Sequence, residues 1–227
     1  MDKNLPPVSL GIVMDGNRRW AKSKGLMALA GHRAGAEKLK DVVEWSKAAG
    51  IKFLTVYAFS TENWNRSLEE VSGIMNLLEE YLDREFGELS KTTRLRFIGE
   101  RERFSDVIRE KVEHLEKVSK DQESFTLSIA LSYGGRAEIL EAVNKLIEED
   151  REVVTESELS EKLWTAGTPD PDLIIRTGGE KRLSNFLLWQ SVYSELFFTP
   201  TLWPDFSREE FDAIIAEYAK RERRNGK

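Results

Sequence analysis

Apolar residues fall into two rhythms along the 227-residue chain. Short apolar runs at Ser9 to Met14, Phe53 to Phe59, Leu95 to Ile98, Phe125 to Tyr133, Leu173 to Ile175 and Glu195 to Phe198 predict six strands. Between them the spacing becomes helical. Val71, Ile74, Met75, Leu78 and Leu82 share one face, as do Ile139, Leu140, Val143, Leu146 and Ile147, and later Phe211, Ile214, Ile215 and Tyr218. Capping boxes mark three helix starts: Ser67 with Glu70, Thr155 with Glu158, and Ser207 with Glu210. Strands separated by helices need crossover connections, so the expected fold class is α/β, with a central, mainly parallel six-stranded sheet flanked by helices. No repeat, low-complexity tract or linker interrupts the pattern, and residues 1–227 are expected to form a single domain.

Composition narrows the function classes. Apolar residues make up 40% of the chain and charged residues 33%, which excludes a disordered or integral membrane protein. No apolar run reaches the ~20 residues of a bilayer crossing, and the first ten residues lack a signal-peptide pattern, so a cytoplasmic location is expected. With no cysteine and only two histidines, a metal would have to sit mainly on oxygen ligands. The net charge of −6 argues against nucleic-acid binding.

Chemistry concentrates where the predicted strands end, which is where ligands bind in open parallel sheets. The first strand runs into Asp15, Gly16, Asn17, Arg18, Arg19 and Trp20, and the second into Ser60, Asn63, Trp64 and Arg66. A later strand leads to Tyr133, Gly134, Gly135 and Arg136, and the next to Arg176, Gly178, Gly179, Arg182 and Ser184. Glycines admit backbone N–H groups close to an anion, and guanidinium forks grip phosphate oxygens in pairs. Asp15, a lone carboxylate among cations, is a candidate magnesium ligand beside phosphates.

Each element also has a plainer reading. Alone, Asp15-Gly16 is more readily a turn than a metal site, and its cationic surroundings reverse that preference. Glu70 is read as a cap partner and left out of the site, Trp20 and Trp64 singly suit a core, and His32 suits a helix start. The P-loop, the dinucleotide glycine fingerprint and the nucleophile elbow are all absent, as is a paired-aspartate DDxxD motif.

Taken in order, MDGNRRWA at 14–21, GHRAG at 31–35, YAFSTENWNR at 57–66, YGGR at 133–136, IRTGGE at 175–180, RLSNFLLWQ at 182–190 and ELFFTPTLWPDF at 195–206 resemble the cis-prenyltransferases over nearly the whole chain. Among these they resemble the bacterial undecaprenyl diphosphate synthases. The resemblance implies a homodimer with a hydrophobic tunnel, magnesium, an allylic acceptor such as farnesyl diphosphate, and isopentenyl diphosphate as the added unit. It also implies a lipid-carrier product for cell-wall synthesis and a peripheral membrane contact for product release.

By position, Asp15 resembles the family's essential aspartate, and Gly16, Asn17, Arg18 and Arg19 its allylic diphosphate loop, with Trp20 and His32 among the substrate-binding residues. Arg176, Arg182 and Ser184 resemble the isopentenyl diphosphate grip. Ser60, Asn63, Trp64 and Arg66 resemble the loop that orients that substrate, with Asn63 expected among the catalytic residues. Glu195 resembles a metal-linked acid near the dimer contact, and Arg224-Asn225-Gly226 fits an R-x-G ending. Ala58 and Tyr81 are candidate tunnel residues.

Two positions depart from the resemblance: the arginine that helps hold the allylic diphosphate in the family is missing near Ala28, and Lys181 stands where some members carry histidine. The open alternatives are therefore a chain-elongating enzyme, a relative that condenses short units or builds an irregular skeleton, and a non-catalytic partner subunit.

Overall fold

In the computed structural model, which describes residues 5–221, each apolar run becomes a strand. The strands are β1 (Ser9–Val13), β2 (Phe53–Ser60), β3 (Arg94–Ile98), β4 (Thr126–Tyr133), β5 (Leu173–Arg176) and β6 (Glu195–Phe198). They form one sheet in the order β3-β4-β2-β1-β5-β6, and every pairing is parallel. The R-x-G ending at 224–226 lies outside the described residues.

All residues of β1, β4 and β5 are buried, as expected of parallel strands covered on both faces. Neighbours along a strand enter different clusters. Ile12, Ile129 and Ile175 join the large core, whereas Val13, Ala130 and Ile174 join Tyr133, Phe186 and Leu187 on the other face. The helices that cover these faces are α1 (Asn17–Ser23), α2 (Ala28–Ala48), α3 (Leu68–Asp83), α4 (Glu85–Leu89), α5 (Asp106–Ser119), α6 (Gly135–Glu148), α7 (Glu156–Lys162) and α8 (Arg208–Lys220).

The three capping boxes form to different extents. Thr155 and Glu158 satisfy each other reciprocally. Ser67 and Ser207 accept from the backbone N–H groups of Glu70 and Glu210, but neither carboxylate turns back to its cap. Glu210 accepts from the hydroxyls of Thr199 and Thr201, and Glu70 faces another group of side chains described below.

The buried face of α6 is narrower than its apolar spacing predicts. Leu140 and Ile147 are 64% and 63% exposed, while Glu138 is buried beside Ala142. Glu138 takes a core position because donors surround it. Its carboxylate accepts from the Tyr133 hydroxyl, from the Thr165 backbone N–H at 3.1 Å and hydroxyl at 3.2 Å, and from Gln190 Nε2 at 3.0 Å. These bonds tie the end of β4 to α6 and to the segment before β5.

A register shift between β2 and β4 prepares the site. Tyr57 pairs with Ala130 and Phe59 with Leu131, so Ala58 has no opposite partner. Such an irregularity re-aims side chains, and Ala58 comes to line an apolar cleft between α2 and α3.

Replacing Glu138 by Ala leaves several buried donors without an acceptor. The expected loss of stability is roughly 3–5 kcal/mol, measurable by chemical denaturation. A loss below about 1 kcal/mol would show that the network is not a structural tie.

Candidate functional site

The loops after β1, β2, β4 and β5 gather at the carboxyl end of the sheet. β1 lies between β2 and β5, at the point where successive connections leave in opposite directions. Ligand crevices of open α/β sheets form at such a switch point.

Asp15, two residues beyond β1, is the centre of the arrangement. Its Oδ2 accepts from Arg176 Nη2 at 2.9 Å, and its Oδ1 from Arg19 Nη2 at 3.1 Å. Arg176 is only 4% exposed, and its Nη1 donates to the Arg182 carbonyl at 2.5 Å and to Ser184 Oγ at 2.7 Å. Its Nε is buried without an acceptor. The backbone carbonyl of Asp15 is fixed as well, accepting from Thr177 Oγ1 at 2.7 Å and from the Trp203 N–H at 3.0 Å.

Gly178 makes this close approach possible. Its φ of +85° suits glycine, and an added Cβ would stand 2.5 Å from Arg19 Nη2 and 3.1 Å from Asp15 Cγ. In the open space left there, Arg19 Nη1 donates to the Gly178 carbonyl at 2.6 Å. Gly35 makes comparable room in α2, where a Cβ would fall 2.3 Å from Asn17 Oδ1. That oxygen is buried and has no donor.

A polar pocket of ≈ 700 Å³ opens beside Asp15, lined by Gly16, Asn17, Arg18, Arg19 and Lys22 on one side and by Ala28, His32 and Arg66 on the other. Among the described residues, Asp15 is the only carboxylate in its lining. The first turn of α2 also lines the pocket and carries no acidic residue, which favours an anion there.

Glu70, assigned only to a helix cap by its sequence position, stands at the edge of this pocket. Its Oε1 accepts from Arg66 Nη1 at 3.0 Å, lies 3.4 Å from His32 Nε2 and pairs with Arg18 Nε at 3.6 Å. One carboxylate thus holds groups from α1, α2 and the loop after β2. No spacing rule distinguished this from the capping-box reading, because both need an acid at the same helical position. Burial lowers the His32 pKa from its ordinary value; the contact with Glu70 opposes the shift, and the Arg66 charge reinforces it.

A second cavity joins the first. It is an apolar cleft of ≈ 120 Å³ between α2, α3, α4 and the sheet, lined by Ala58, Leu39, Ile74, Leu78, Tyr81 and Phe86 among others. Met14, Asn17 and His32 line both spaces. A ligand with a charged head and an apolar tail fits across that junction.

Comparison with known proteins accords with this geometry. The model of a family described as "Putative undecaprenyl diphosphate synthase" matches residues 13–226. An isoprenyl transferase of Fusobacterium nucleatum is 47% identical, covering 100% of this chain and 98% of that protein. One of Aquifex aeolicus is 48% identical over 97% of this chain and 96% of its own length. The chain belongs to the cis-prenyltransferase family. The crystal structure of lavandulyl diphosphate synthase from Lavandula x intermedia, in complex with dimethylallyl diphosphate, superposes with a TM-score of 0.93 at 33% identity, covering 98% of this chain and 99% of that one.

Within this member of the family, the structure brings together only part of the residue set expected from sequence. Asp15, Arg19, Arg176 and Ser184 are linked directly, and Gly16, Asn17, Arg18, His32 and Arg66 share the pocket. Arg182 contributes its backbone carbonyl to Arg176, while its half-exposed guanidinium pairs with Glu180. Asn63 Oδ1 accepts from the Ser60 N–H at 3.1 Å, bracing its own loop. Trp64 packs on Phe59 and Phe104 and donates to Ser132 Oγ, and Trp20 Nε1 donates to Asp205. Trp64 thus packs against the large core, whereas Trp20 is half-buried and lies outside it.

Glu195 does not join Asp15 within the chain. It opens β6 opposite Leu173, at the amino end of β5, whereas Asp15 lies beyond the carboxyl end of β1. Three residues of strand, about 10 Å, separate the Glu195 and Arg176 levels, and Glu195 is paired with Arg221 at 2.5 Å. Among the described residues, no three His, Cys, Asp or Glu side chains converge to hold a metal ion. Asp15 is the carboxylate of the polar pocket that could serve magnesium, an ion that commonly takes one or two carboxylates and completes its shell with water and substrate phosphates.

The state of His32 is directly checkable, since the chain has only one other histidine, His114. The His32 midpoint by proton NMR is expected below 6.5, and Glu70→Gln should lower it further by removing the negative partner. The folded state then binds fewer protons than the unfolded chain at acid pH. The contribution of neutral His32 to stability is therefore present above about pH 6.5 and lost as the pH falls toward the lowered midpoint. An unchanged or raised midpoint in the folded variant would separate His32 from Glu70.

Proposed function

We propose that this chain condenses isopentenyl diphosphate with an allylic prenyl diphosphate, such as farnesyl diphosphate, to give a longer cis-prenyl diphosphate, and that magnesium assists. The observation that carries this reading is the position of Asp15 between two anion-handling groups, with the apolar cleft adjoining one of them. On one side lie Arg18, Arg19 and the start of α2; on the other is the Arg176–Ser184 loop.

In this reading the allylic diphosphate occupies the polar pocket, and its hydrocarbon tail enters the cleft past Met14, Asn17 and His32. Arg18, Arg19 and the first N–H groups of α1 bind the phosphates and stabilise the charge that grows as the carbon–oxygen bond breaks. Arg176, oriented by Asp15 and Ser184, holds the second diphosphate. The paired sites keep the new carbon–carbon bond within reach and reduce its entropic cost. Magnesium bound by Asp15 would supply further charge neutralisation at the departing diphosphate. A lipid-carrier role, a homodimeric assembly and a peripheral membrane contact belong to the same proposal. Among the described residues, no helix is long and apolar enough to cross a membrane.

The decisive experiment incubates the purified protein with magnesium, labelled isopentenyl diphosphate and allylic acceptors of several lengths, and sizes the products. A ladder growing in five-carbon steps supports the reading, and no product with any acceptor overturns it in favour of a non-catalytic partner subunit. A second reading, in which the chain makes a short or irregular product, draws on Ala28, which gives the pocket no cation where one is expected. A single short product would favour it.

Asp15→Ala should reduce turnover at least ~10²-fold while circular dichroism shows an intact fold. Near-normal turnover would remove Asp15 from the chemistry. Ala28→Arg places a guanidinium at the pocket wall, so the KM for farnesyl diphosphate should fall while that for isopentenyl diphosphate changes little. The gain should shrink as salt is raised, because the new contact is charge-based and partly exposed. Steady-state kinetics at two ionic strengths read both effects. An unchanged farnesyl KM in a folded variant would favour the short-product reading.

A further inference from the structure

The apolar cleft is too small for its proposed occupant. Its ≈ 120 Å³ is well below the ~300–1,000 Å³ of pockets that enclose a drug-sized ligand, and an acceptor of fifteen carbons is already of that size. Some wall must therefore move as a chain lengthens. The sheet side consists of buried strand residues such as Phe59, Ile129 and Leu131, packed among the strands and unsuited to opening.

The opposite wall is different. Along the edge where α2 meets α3 and α4, three polar contacts clasp the helices together. Arg33 grips Glu80 with both guanidinium nitrogens, at 2.9 and 2.8 Å. The Tyr81 hydroxyl donates to Glu37, and Lys40 bridges Glu37 at 2.5 Å and Glu85 at 3.2 Å. Residues 33, 37 and 40 are spaced to share one face of α2, so the clasps form a single seam. Tyr81, Lys40 and Glu85 also line the cleft. Arg33 directly follows His32, whereas Lys40 lies eight residues beyond it on α2, about 12 Å along the helix, so the seam runs from beside the polar pocket to the far end of the cleft.

We infer that this seam sets product length: each added unit presses toward it, and elongation proceeds only as far as the clasps open. The inference rests on the proposed prenyltransferase reading. Partly exposed ion pairs are weak, whereas burying five more carbons is strongly favourable, so a growing chain can open them in turn. Glu70, in the first turn of α3, ties that end of the helix to His32, Arg18 and Arg66, which keeps the reacting end in place while the wall farther along yields.

The chain contains no cysteine, so the seam can be locked cleanly. In Arg33→Cys/Glu80→Cys, a short reducible cross-linker joins α2 to α3, and reductant restores the open seam in the same sample. Two quantities are measured in both states: affinity for prenyl diphosphates of increasing length by competition, which requires no turnover, and the length distribution of products. The locked protein should bind dimethylallyl diphosphate as the reduced form does, bind acceptors longer than farnesyl diphosphate at least ~10-fold more weakly, and stop at shorter products. Lys40→Met, which removes the clasp to Glu85 and keeps an apolar side chain at the cleft, should shift products to longer chains, as should raised salt with the unaltered protein. Long acceptors binding equally to locked and reduced protein would overturn the inference while leaving the prenyltransferase reading intact. Failure of every prenyl diphosphate to bind either form would overturn both.

Discussion

The arrangement at the carboxyl end of the sheet depends on one carboxylate, Asp15, held between two guanidinium groups. Arg176 is almost wholly buried, and a buried cation without a partner is strongly disfavoured. Asp15 supplies that partner, and the Arg182 carbonyl and Ser184 hydroxyl complete most of the remaining donor geometry. The loop after β5 is therefore folded around Arg176, and Arg176 is fixed by the loop after β1. The two halves of the site cannot be assembled independently. The same carboxylate draws in Arg19, which reaches the Gly178 carbonyl only because residue 178 has no Cβ.

A second acid does comparable work for the loop after β2. Glu70 gathers Arg18, His32 and Arg66, three groups from separate elements. Without it, two arginines would repel one another across the pocket mouth. Burial already keeps the imidazole toward its neutral form, and the nearby Arg66 charge adds to that tendency. Glu70 thus offsets one of the two guanidinium charges it touches, and the pocket keeps an excess of positive charge. An anion entering here would compete with Glu70 for guanidiniums that are already oriented, which limits the entropy lost on binding.

Much of this was legible in the sequence because the physics involved is local. Buried parallel strands read as unbroken apolar runs, and all six were found. The glycines and arginines at strand ends pointed to the loops after β1 and β2, which supply Asp15 to Arg19 and Arg66 to the polar pocket. Three features escaped, each governed by packing between distant segments. The capping pattern at Ser67 correctly marked a helix start, but could not tell whether the Glu70 side chain would turn back or outward. On α6, the apolar spacing placed Leu140 and Ile147 on the buried face and gave no sign of Glu138 there, because Tyr133, Thr165 and Gln190 are brought around that acid by tertiary structure. Glu195 was grouped with the site on its resemblance to the family, whereas the parallel register puts it at the amino end of the strands.

The junction of the two cavities unites these constraints. Asn17 begins α1, caps nothing with its side chain and leaves a buried oxygen without a donor beside Gly35. An uncompensated buried acceptor is costly, and it sits where the polar pocket gives way to the apolar cleft. His32, at the same junction, is held by Glu70 from outside the pocket lining. A ligand crossing this point passes from a wall of cations to one of aliphatic side chains within a few residues of α2. Water is favoured on one side and excluded on the other, so a bond between a diphosphate and an allylic carbon would lie at the boundary itself. Charge stabilisation is available there to the leaving group, and the carbon remains sheltered from solvent. The position of that boundary follows from two small residues: Gly35, which lets Asn17 lie against α2, and Ala58, which the register shift in β2 leaves facing the cleft.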